Sequence, residues 1–257
     1  MKFSIITICY NPGDNIKAAI ESVLSQDYPD IEYIIVDGGS TDGTIELVKS
    51  YGDKISKFIS EPDNGLYDAL NKGVRMTSGD VVGFVNADDL LAGVNVISDI
   101  ARAFDRTGAG GLYGDLEYVA RNDIARVIRY WRSGDFKYSS LRAGWMPPHP
   151  TLYLRRSVYQ RARLEDGDYF DTSFKIAADY DFMMRVFGKL KVDVVYLPQV
   201  LVKMRVGGKS NKSISNIIKK TREDIVAMRR NGIGGFVTLI LKNLRKLPQF
   251  IMSKQVG

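Results

Sequence analysis

The chain has 257 residues, 45% of them hydrophobic, and a formal net charge of +6; that length and apolar content can bury a large core, which excludes a disordered chain. Its one cysteine, Cys9, lies in an apolar stretch, so no disulfide can form within the chain and a reducing compartment is expected. No run of about 18 uninterrupted apolar residues occurs, which excludes a spanning helix written plainly in the sequence.

The first half alternates two periodicities. Residues 3–10, 32–37, 54–60 and 80–85 are short apolar runs rich in Ile and Val, and residues 15–26, 44–51 and 66–77 between them carry helical spacing. That order predicts βαβ units, hence an α/β fold with a mostly parallel, Rossmann-like sheet and helices on both faces. Ligands of such sheets collect beyond the carboxyl ends of the strands. Four of those ends carry polar groups: Tyr10-Asn11, Asp37, Asp63-Asn64-Gly65 and Asp88-Asp89.

Asp37 opens the glycine-rich run Gly38-Gly39-Ser40-Thr41-Asp42-Gly43-Thr44, where a carboxylate suits a base or ribose and glycine lets backbone approach a ligand. A plain turn residue is the alternative, and Asp42 is read as the cap of the next helix. No G-x-G-x-x-G or Walker A sequence occurs, which disfavours nicotinamide and P-loop chemistry. Asn86-Ala87-Asp88-Asp89 directly follows Val81-Val82-Gly83-Phe84-Val85. Paired carboxylates there suit an oxygen-ligated Mg²⁺ or Mn²⁺ against a diphosphate; a helix starting near Leu90 is the alternative.

The segments Ser4-Ile5-Ile6-Thr7-Ile8-Cys9-Tyr10-Asn11, Val36 to Thr44, Glu61-Pro62-Asp63-Asn64-Gly65-Leu66-Tyr67-Asp68-Ala69-Leu70-Asn71-Lys72-Gly73 and Asn86-Ala87-Asp88-Asp89 together resemble family 2 glycosyltransferases with the GT-A fold. Ala178-Asp179-Tyr180-Asp181-Phe182 with Arg185 extends the resemblance to about residue 210. It implies a nucleotide-sugar donor, UDP-linked in most relatives, a divalent Mn²⁺ or Mg²⁺, and an inverting displacement. The nucleoside would lie near Thr7, Tyr10 and Asp37, with Asn11, Asp63, Asp68, Lys72, Asn86 and Asp88 completing the donor set, and Asp88 and Asp89 holding the metal and diphosphate. Many relatives carry Asp where Asn86 stands and Arg where Leu70 stands, so ligation rests on Asp88 or Asp89 and one polar nucleotide contact is missing.

On the acceptor side, the resemblance makes Asp179 the catalytic base, drawing the proton from the acceptor hydroxyl. Carboxylates at i and i+2 on a helix face different ways, so Asp181 is expected to pair with Arg185, with an acceptor contact as its alternative. His149, the only histidine, sits within Trp145-Met146-Pro147-Pro148-His149-Pro150. This resembles a His-Pro segment of a bacterial polysaccharide branch of the family, which would put His149 near acceptor or diphosphate; Trp145 could offer an aromatic face to a sugar or simply pack. Arg205-Val206-Gly207-Gly208-Lys209-Ser210 reads as a flexible loop whose amides, Arg205 and Lys209 could close over the diphosphate. No histidine occurs there as a third metal ligand.

From Lys203 onward 13 Lys and Arg face only Glu223 and Asp224, a balance of +11 that leaves residues 1–202 at −5. Ile214, Ile217, Ile218, Thr221, Ile225 and Met228 recur at helical spacing, and Ile233, Phe236, Val237, Ile240, Leu241, Leu244 and Leu247 form a second apolar stripe, with Lys242, Arg245 and Lys246 elsewhere and Pro248 ending the helix. A basic amphipathic helix fits an anionic membrane surface; docking on its own domain or in a homodimer is the alternative.

The expected organisation is a GT-A catalytic domain over 1–210, with a nucleotide-sugar half (1–110) and an acceptor half (111–210), followed by a basic helical extension over 211–257. The segment after Met1 and Lys2 lacks signal-peptide architecture, so the expected location is cytoplasmic, peripheral on the inner face of the cell membrane, in surface polysaccharide synthesis. The acceptor would be a glycan or polyprenyl-linked hydroxyl. A sugar-phosphate nucleotidyltransferase lacks its Gly-rich basic loop at Tyr10-Asn11-Pro12-Gly13-Asp14, and a nucleic-acid binder lacks a recognition motif; a non-catalytic nucleotide-sugar-binding protein is the remaining alternative.

Overall fold

The computed structural model describes residues 1–207 and 214–245. β1 (Phe3–Cys9), α1 (Asn15–Leu24), β2 (Ile31–Asp37), α2 (Thr44–Ser50), β3 (Lys57–Ser60), α3 (Leu66–Met76) and β4 (Val81–Phe84) alternate as the periodicity predicts. There follow β5 (Asp89–Leu91), α4 (Val96–Thr107), β6 (Gly111–Ala120), β7 (Asp123–Trp131), α5 (Tyr138–Arg142), β8 (Tyr153–Arg155), α6 (Arg156–Arg161), α7 (Ala178–Met184), β9 (Val194–Arg205), α8 (Ile214–Arg230) and α9 (Phe236–Leu244).

Among the described residues the strands form one sheet in the order β3-β2-β1-β4-β8-β6-β9-β5, with β7 added to β6. β3, β2, β1 and β4 are parallel, β8 runs antiparallel between β4 and β6, and β6 and β9 are parallel again. Ile6, Ile8, Ile34 and Val36 pack on one face with α3 residues Leu70 and Val74; Phe3, Ile5, Tyr33 and Ile35 pack on the other with Ile16, Ile20 and Val23 of α1 and Phe104 of α4. Burial of both faces explains why these strands read as continuous apolar runs rather than alternating ones.

Two buried polar residues brace this frame. Glu32 accepts hydrogen bonds from Ser4 Oγ (2.6 Å), Ser78 Oγ (2.7 Å) and the Ser78 amide (2.8 Å) and pairs with Lys57 at 2.9 Å. Burial works against its charge, but these donors outweigh burial and hold its carboxyl well below the usual range. Asn71 of α3 accepts from the Tyr169 and Phe170 amides at 3.0 and 2.9 Å and donates to the Phe170 carbonyl at 2.8 Å.

Two local readings change. The third strand starts at Lys57 rather than residue 54, because Gly52–Lys54 forms a 3₁₀ turn. No helix starts near Leu90: β5 pairs antiparallel with β9, Asp89 opposite Met204, and the helix waits until Val96.

Candidate active site

The carboxyl ends of β1, β2 and β3 bring the loops that carry Tyr10, Asn11, Ser40 and Asp63 together. Tyr10 stands exposed. Asn11 is left-handed (φ 46°), a conformation Asn tolerates, and it stitches the β1 and β2 loops together: its amide donates to Ser40 Oγ at 2.8 Å, and its Oδ1 accepts from the Thr41 amide at 2.8 Å. Asp63 is half-exposed, its Oδ1 accepting from the Gly65 amide at 2.8 Å. A Cβ at Gly38 would collide with the Asp63 carboxylate, so glycine there lets the β2 and β3 loops meet. Asp68 and Lys72 knit the same loop, Asp68 accepting from the Asn64 amide at 2.9 Å and Lys72 pairing with Glu61 at 2.9 Å.

Two residues expected near the nucleoside, Thr7 and Asp37, are buried and hydrogen-bonded within the protein. Thr7 is fully buried, its hydroxyl engaged by the Val85 carbonyl (2.7 Å) and Tyr33 (2.9 Å), so it ties β1 to the end of β4. Asp37 is also fully buried. Its carboxylate accepts from the Gly39 and Ser40 amides at 3.0 and 2.9 Å, from Ser60 at 2.7 Å and from the Ser40 hydroxyl. Burial opposes its charge, yet these bonds lower its pKa. It ties the start of the glycine-rich run to the ends of β2 and β3.

The paired carboxylates differ in burial. Asp88 is half-buried, while Asp89 is fully buried with Oδ2 accepting from Asn86 Nδ2 at 2.8 Å. Among the described residues Asp89 Oδ1 has no hydrogen-bond partner, and burial together with the Asp88 charge pushes its pKa up to about 8. Arg205, the last residue of β9 rather than part of a loop, donates from Nη1 to the Asp88 carbonyl at 3.0 Å. No cluster of three acidic, His or Cys ligands occurs among the described residues. An Asp pair with one orphaned buried oxygen nonetheless fits a hard divalent cation, which is commonly held by one or two carboxylates plus substrate phosphates. Lys209 lies outside the described residues, as do Gly208 and Ser210 of the same segment.

On the acceptor side α7 places Asp179 in its first turn, half-buried. Tyr67 Oη donates to its Oδ1 at 3.1 Å, and His149 Nδ1 lies 3.3 Å from its Oδ2. The Tyr67 phenol is pushed far up by burial first and by Asp179 second, so it stays a donor. Although 45% of the His149 side chain is exposed, the protein around the ring desolvates it enough to lower its pKa below that of free imidazole, against the pull of Asp179. Pro148 and Pro150 flank it, and the 3₁₀ turn His149–Thr151 is pinned by Thr151 Oγ1 on the Pro148 and Gly114 carbonyls.

The pairing with Arg185 expected of Asp181 is present, and Trp145 takes its packing alternative. The Trp145 indole is buried against Tyr113, Phe136 and Phe187 and donates to the Ser133 carbonyl at 2.9 Å, so it is core. Asp181 is buried, accepting from Arg185 Nε at 3.1 Å and Asn231 Nδ2 at 2.9 Å. Tyr67 carries no signal of its own within its motif, because its contact with Asp179 spans 112 residues.

The C-terminal stripe divides. Ile233 is buried; Thr238 and Leu239 face inward; and Lys242, expected outside, is buried against Asp224 (2.8 Å) with its ammonium 3.3 Å from the Tyr180 ring centroid. Phe236 and Val237 are 66% and 69% exposed, with Ile240, Leu241 and Leu244 beside them. Leu247, Lys246 and Pro248 lie outside the described residues. No helix among the described residues is long and apolar enough to cross a membrane.

The family model for glycosyl transferase family 2 matches residues 4–176. An uncharacterized glycosyltransferase of Mycobacterium tuberculosis is 30% identical over 184 residues, covering 71% of this chain and 67% of its own. A PGL/p-HBAD biosynthesis glycosyltransferase of Mycobacterium bovis is 26% identical over 259 residues, covering 99% of this chain and 94% of its own. Among solved structures, S. aureus TarS 1-349 in complex with UDP-GlcNAc superposes with a TM-score of 0.69 at 21% identity, over 91% of this chain and 66% of that one; the chain spans 40% of the longer TarS structure. A Pyrobaculum calidifontis mannosyltransferase in complex with GDP-Man and Mn²⁺ gives 0.65 at 19% identity, over 98% of this chain and 73% of that one. The fold is GT-A.

Proposed function

Because the chain belongs to glycosyl transferase family 2 and is a glycosyltransferase, we propose that it moves a sugar, with inversion, from a UDP-linked nucleotide-sugar donor to a hydroxyl of a glycan or lipid-linked acceptor in surface polysaccharide synthesis. The observation that carries this reading is the Asp179 carboxylate, held by Tyr67 and facing His149 on the acceptor side. Asp179 takes the proton of the acceptor hydroxyl as its oxygen bonds to the anomeric carbon; the bond from that carbon to the diphosphate oxygen breaks, and the nucleoside diphosphate leaves with the electron pair. Tyr67 orients the base, and His149 stands beside the same carboxylate.

Asp88, with Asp89 beside it, would hold Mg²⁺ or Mn²⁺, which when bound supplies Lewis-acid stabilisation to the departing diphosphate. The UDP preference is supported by the N-terminal motifs, and structural relatives bind UDP-GlcNAc or GDP-Man. A peripheral position on the inner face of a membrane is supported by the exposed apolar face of α9 and by the absence of acidic residues after Asp224. Its test is anionic-vesicle co-sedimentation of a Phe236→Ser, Val237→Ser variant: binding equal to the parent protein removes the membrane assignment. Deleting α9 is a poorer test, because it also strips Lys242 from buried Asp224.

The donor reading is tested by thermal shift with UDP, GDP and their sugar conjugates, with and without Mn²⁺, on the wild-type protein and Asp88→Asn. A UDP-sugar should raise Tm in the wild type, and Mn²⁺ should add to that rise only while Asp88 is present. No rise with any nucleotide would overturn the reading.

A further inference from the structure

The two C-terminal helices are wired into the helix that carries Asp179. Glu223 of α8 accepts hydrogen bonds from three consecutive backbone amides: Lys175 at 3.1 Å from each oxygen, Ile176 at 2.8 Å and Ala177 at 3.0 Å. Those residues immediately precede α7, and Asp179 is its second residue. One carboxylate therefore fixes the backbone from which the first turn springs. Asn231, just beyond α8, holds Asp181 at 2.9 Å, and Lys242 of α9 caps the Tyr180 ring while pairing with Asp224. Tyr180 and Asp181, the two residues after Asp179, are thus each gripped from the C-terminal pair.

The same pair reaches the histidine side. Gly144 is left-handed (φ 75°), and a Cβ there would lie 2.5 Å from the Lys242 amide nitrogen, so α9 presses on the chain five residues before His149. Thr238 adds a hydrogen bond to the Arg142 carbonyl at 2.9 Å. The family model ends at residue 176, so none of these anchoring residues of α8 and α9 falls within the matched region.

We propose that Glu223 is a positioning residue for sugar transfer: it sets the Asp179 carboxylate against Tyr67 and His149, which makes α8 and α9 part of the acceptor-side machinery rather than an appendage. The proposal rests on Asp179 being the base. Misplacing a reacting group by about 1 Å can cost on the order of 10²-fold in rate, so a backbone anchor at this point acts on turnover through the placement of Asp179.

The test uses the full chain, reading UDP released from UDP-glucose, UDP-galactose or UDP-GlcNAc with water as surrogate acceptor, whichever the wild type turns over fastest. Glu223→Ala should lower kcat roughly 10- to 100-fold while the donor dissociation constant and the fraction of donor-binding molecules stay within about twofold, and it should move the acidic limb of the pH profile of kcat/KM. Glu223→Gln, which retains one acceptor oxygen, should recover part of the rate; it also serves if the alanine variant does not fold. In an Asp179→Asn background Glu223→Gln should cost nothing further, since its effect passes through that carboxylate. An unchanged kcat, or a fall matched by loss of donor-binding molecules, overturns the proposal; if instead Asp179→Asn alone leaves turnover intact, the assignment of the base fails first.

Discussion

Removing one partner of the Asp224–Lys242 pair should cost far more than removing both. The two side chains are 5% and 13% exposed and meet at 2.8 Å, and Asp224 Oδ1 has no other partner among the described residues. Lys242→Met keeps the volume and leaves Asp224 charged, buried and unpaired, a loss of about 3–5 kcal/mol. For a chain of this size that lowers Tm by on the order of 10 °C. Asp224→Asn strands the ammonium against Tyr180 and should cost a similar amount. Asp224→Leu with Lys242→Met replaces the pair by apolar groups and should come back to within about 1 kcal/mol of the parent, because neither charge then pays for desolvation. Urea unfolding at constant m-value gives the three free energies. Two single losses below about 1 kcal/mol, or losses that simply add in the double variant, would refute the account of a buried, mutually dependent pair.

Three further outcomes are expected. Asp179→Asn should slow turnover by about 10²–10⁴-fold with donor affinity preserved, since the base acts only during the chemical step; comparing kcat with UDP-sugar binding checks it, and near-wild-type turnover moves the base elsewhere. Asn71→Ala should cost about 3 kcal/mol, since it leaves two buried amides and a carbonyl without partners, and a change below about 1 kcal/mol in urea unfolding would contradict it. Glu32 has a folded pKa below its unfolded one, so its stabilisation is full above the unfolded value and fades as pH falls through the folded one. The gap in urea midpoint between wild type and Glu32→Gln should therefore be wide at neutral pH and narrow in acid, and equal gaps would show that its charge is not what matters.

The sequence displays β1, β2 and β4 openly because both faces of these strands are buried, and their apolar runs leave no other reading. The acidic motif was equally visible, but not the unequal fates of its members: Asp89 turns inward because β5 pairs with β9, a partner more than a hundred residues away. Tyr67 was invisible as a partner of Asp179 for the same reason of distance. Glu223 carries no local signal at all, since a carboxylate on a basic amphipathic helix reads as a solvated face until the chain brings residues 175–177 beneath it. Lys242 misled in the opposite sense: its charge suggested water, whereas a buried acid was waiting for it.

The unbroken sheet limits how such an enzyme can be re-engineered. β4 hands its hydrogen bonds to β8, and β8 passes them to β6 and on to β9, so the strands before residue 110 and those after it share one ladder without a seam. A chimera spliced near residue 110 would ask two foreign half-sheets to match pleat, twist and register at once. A new acceptor preference is more readily grafted through the connections that rise above the strand ends, where a change of length leaves the ladder untouched.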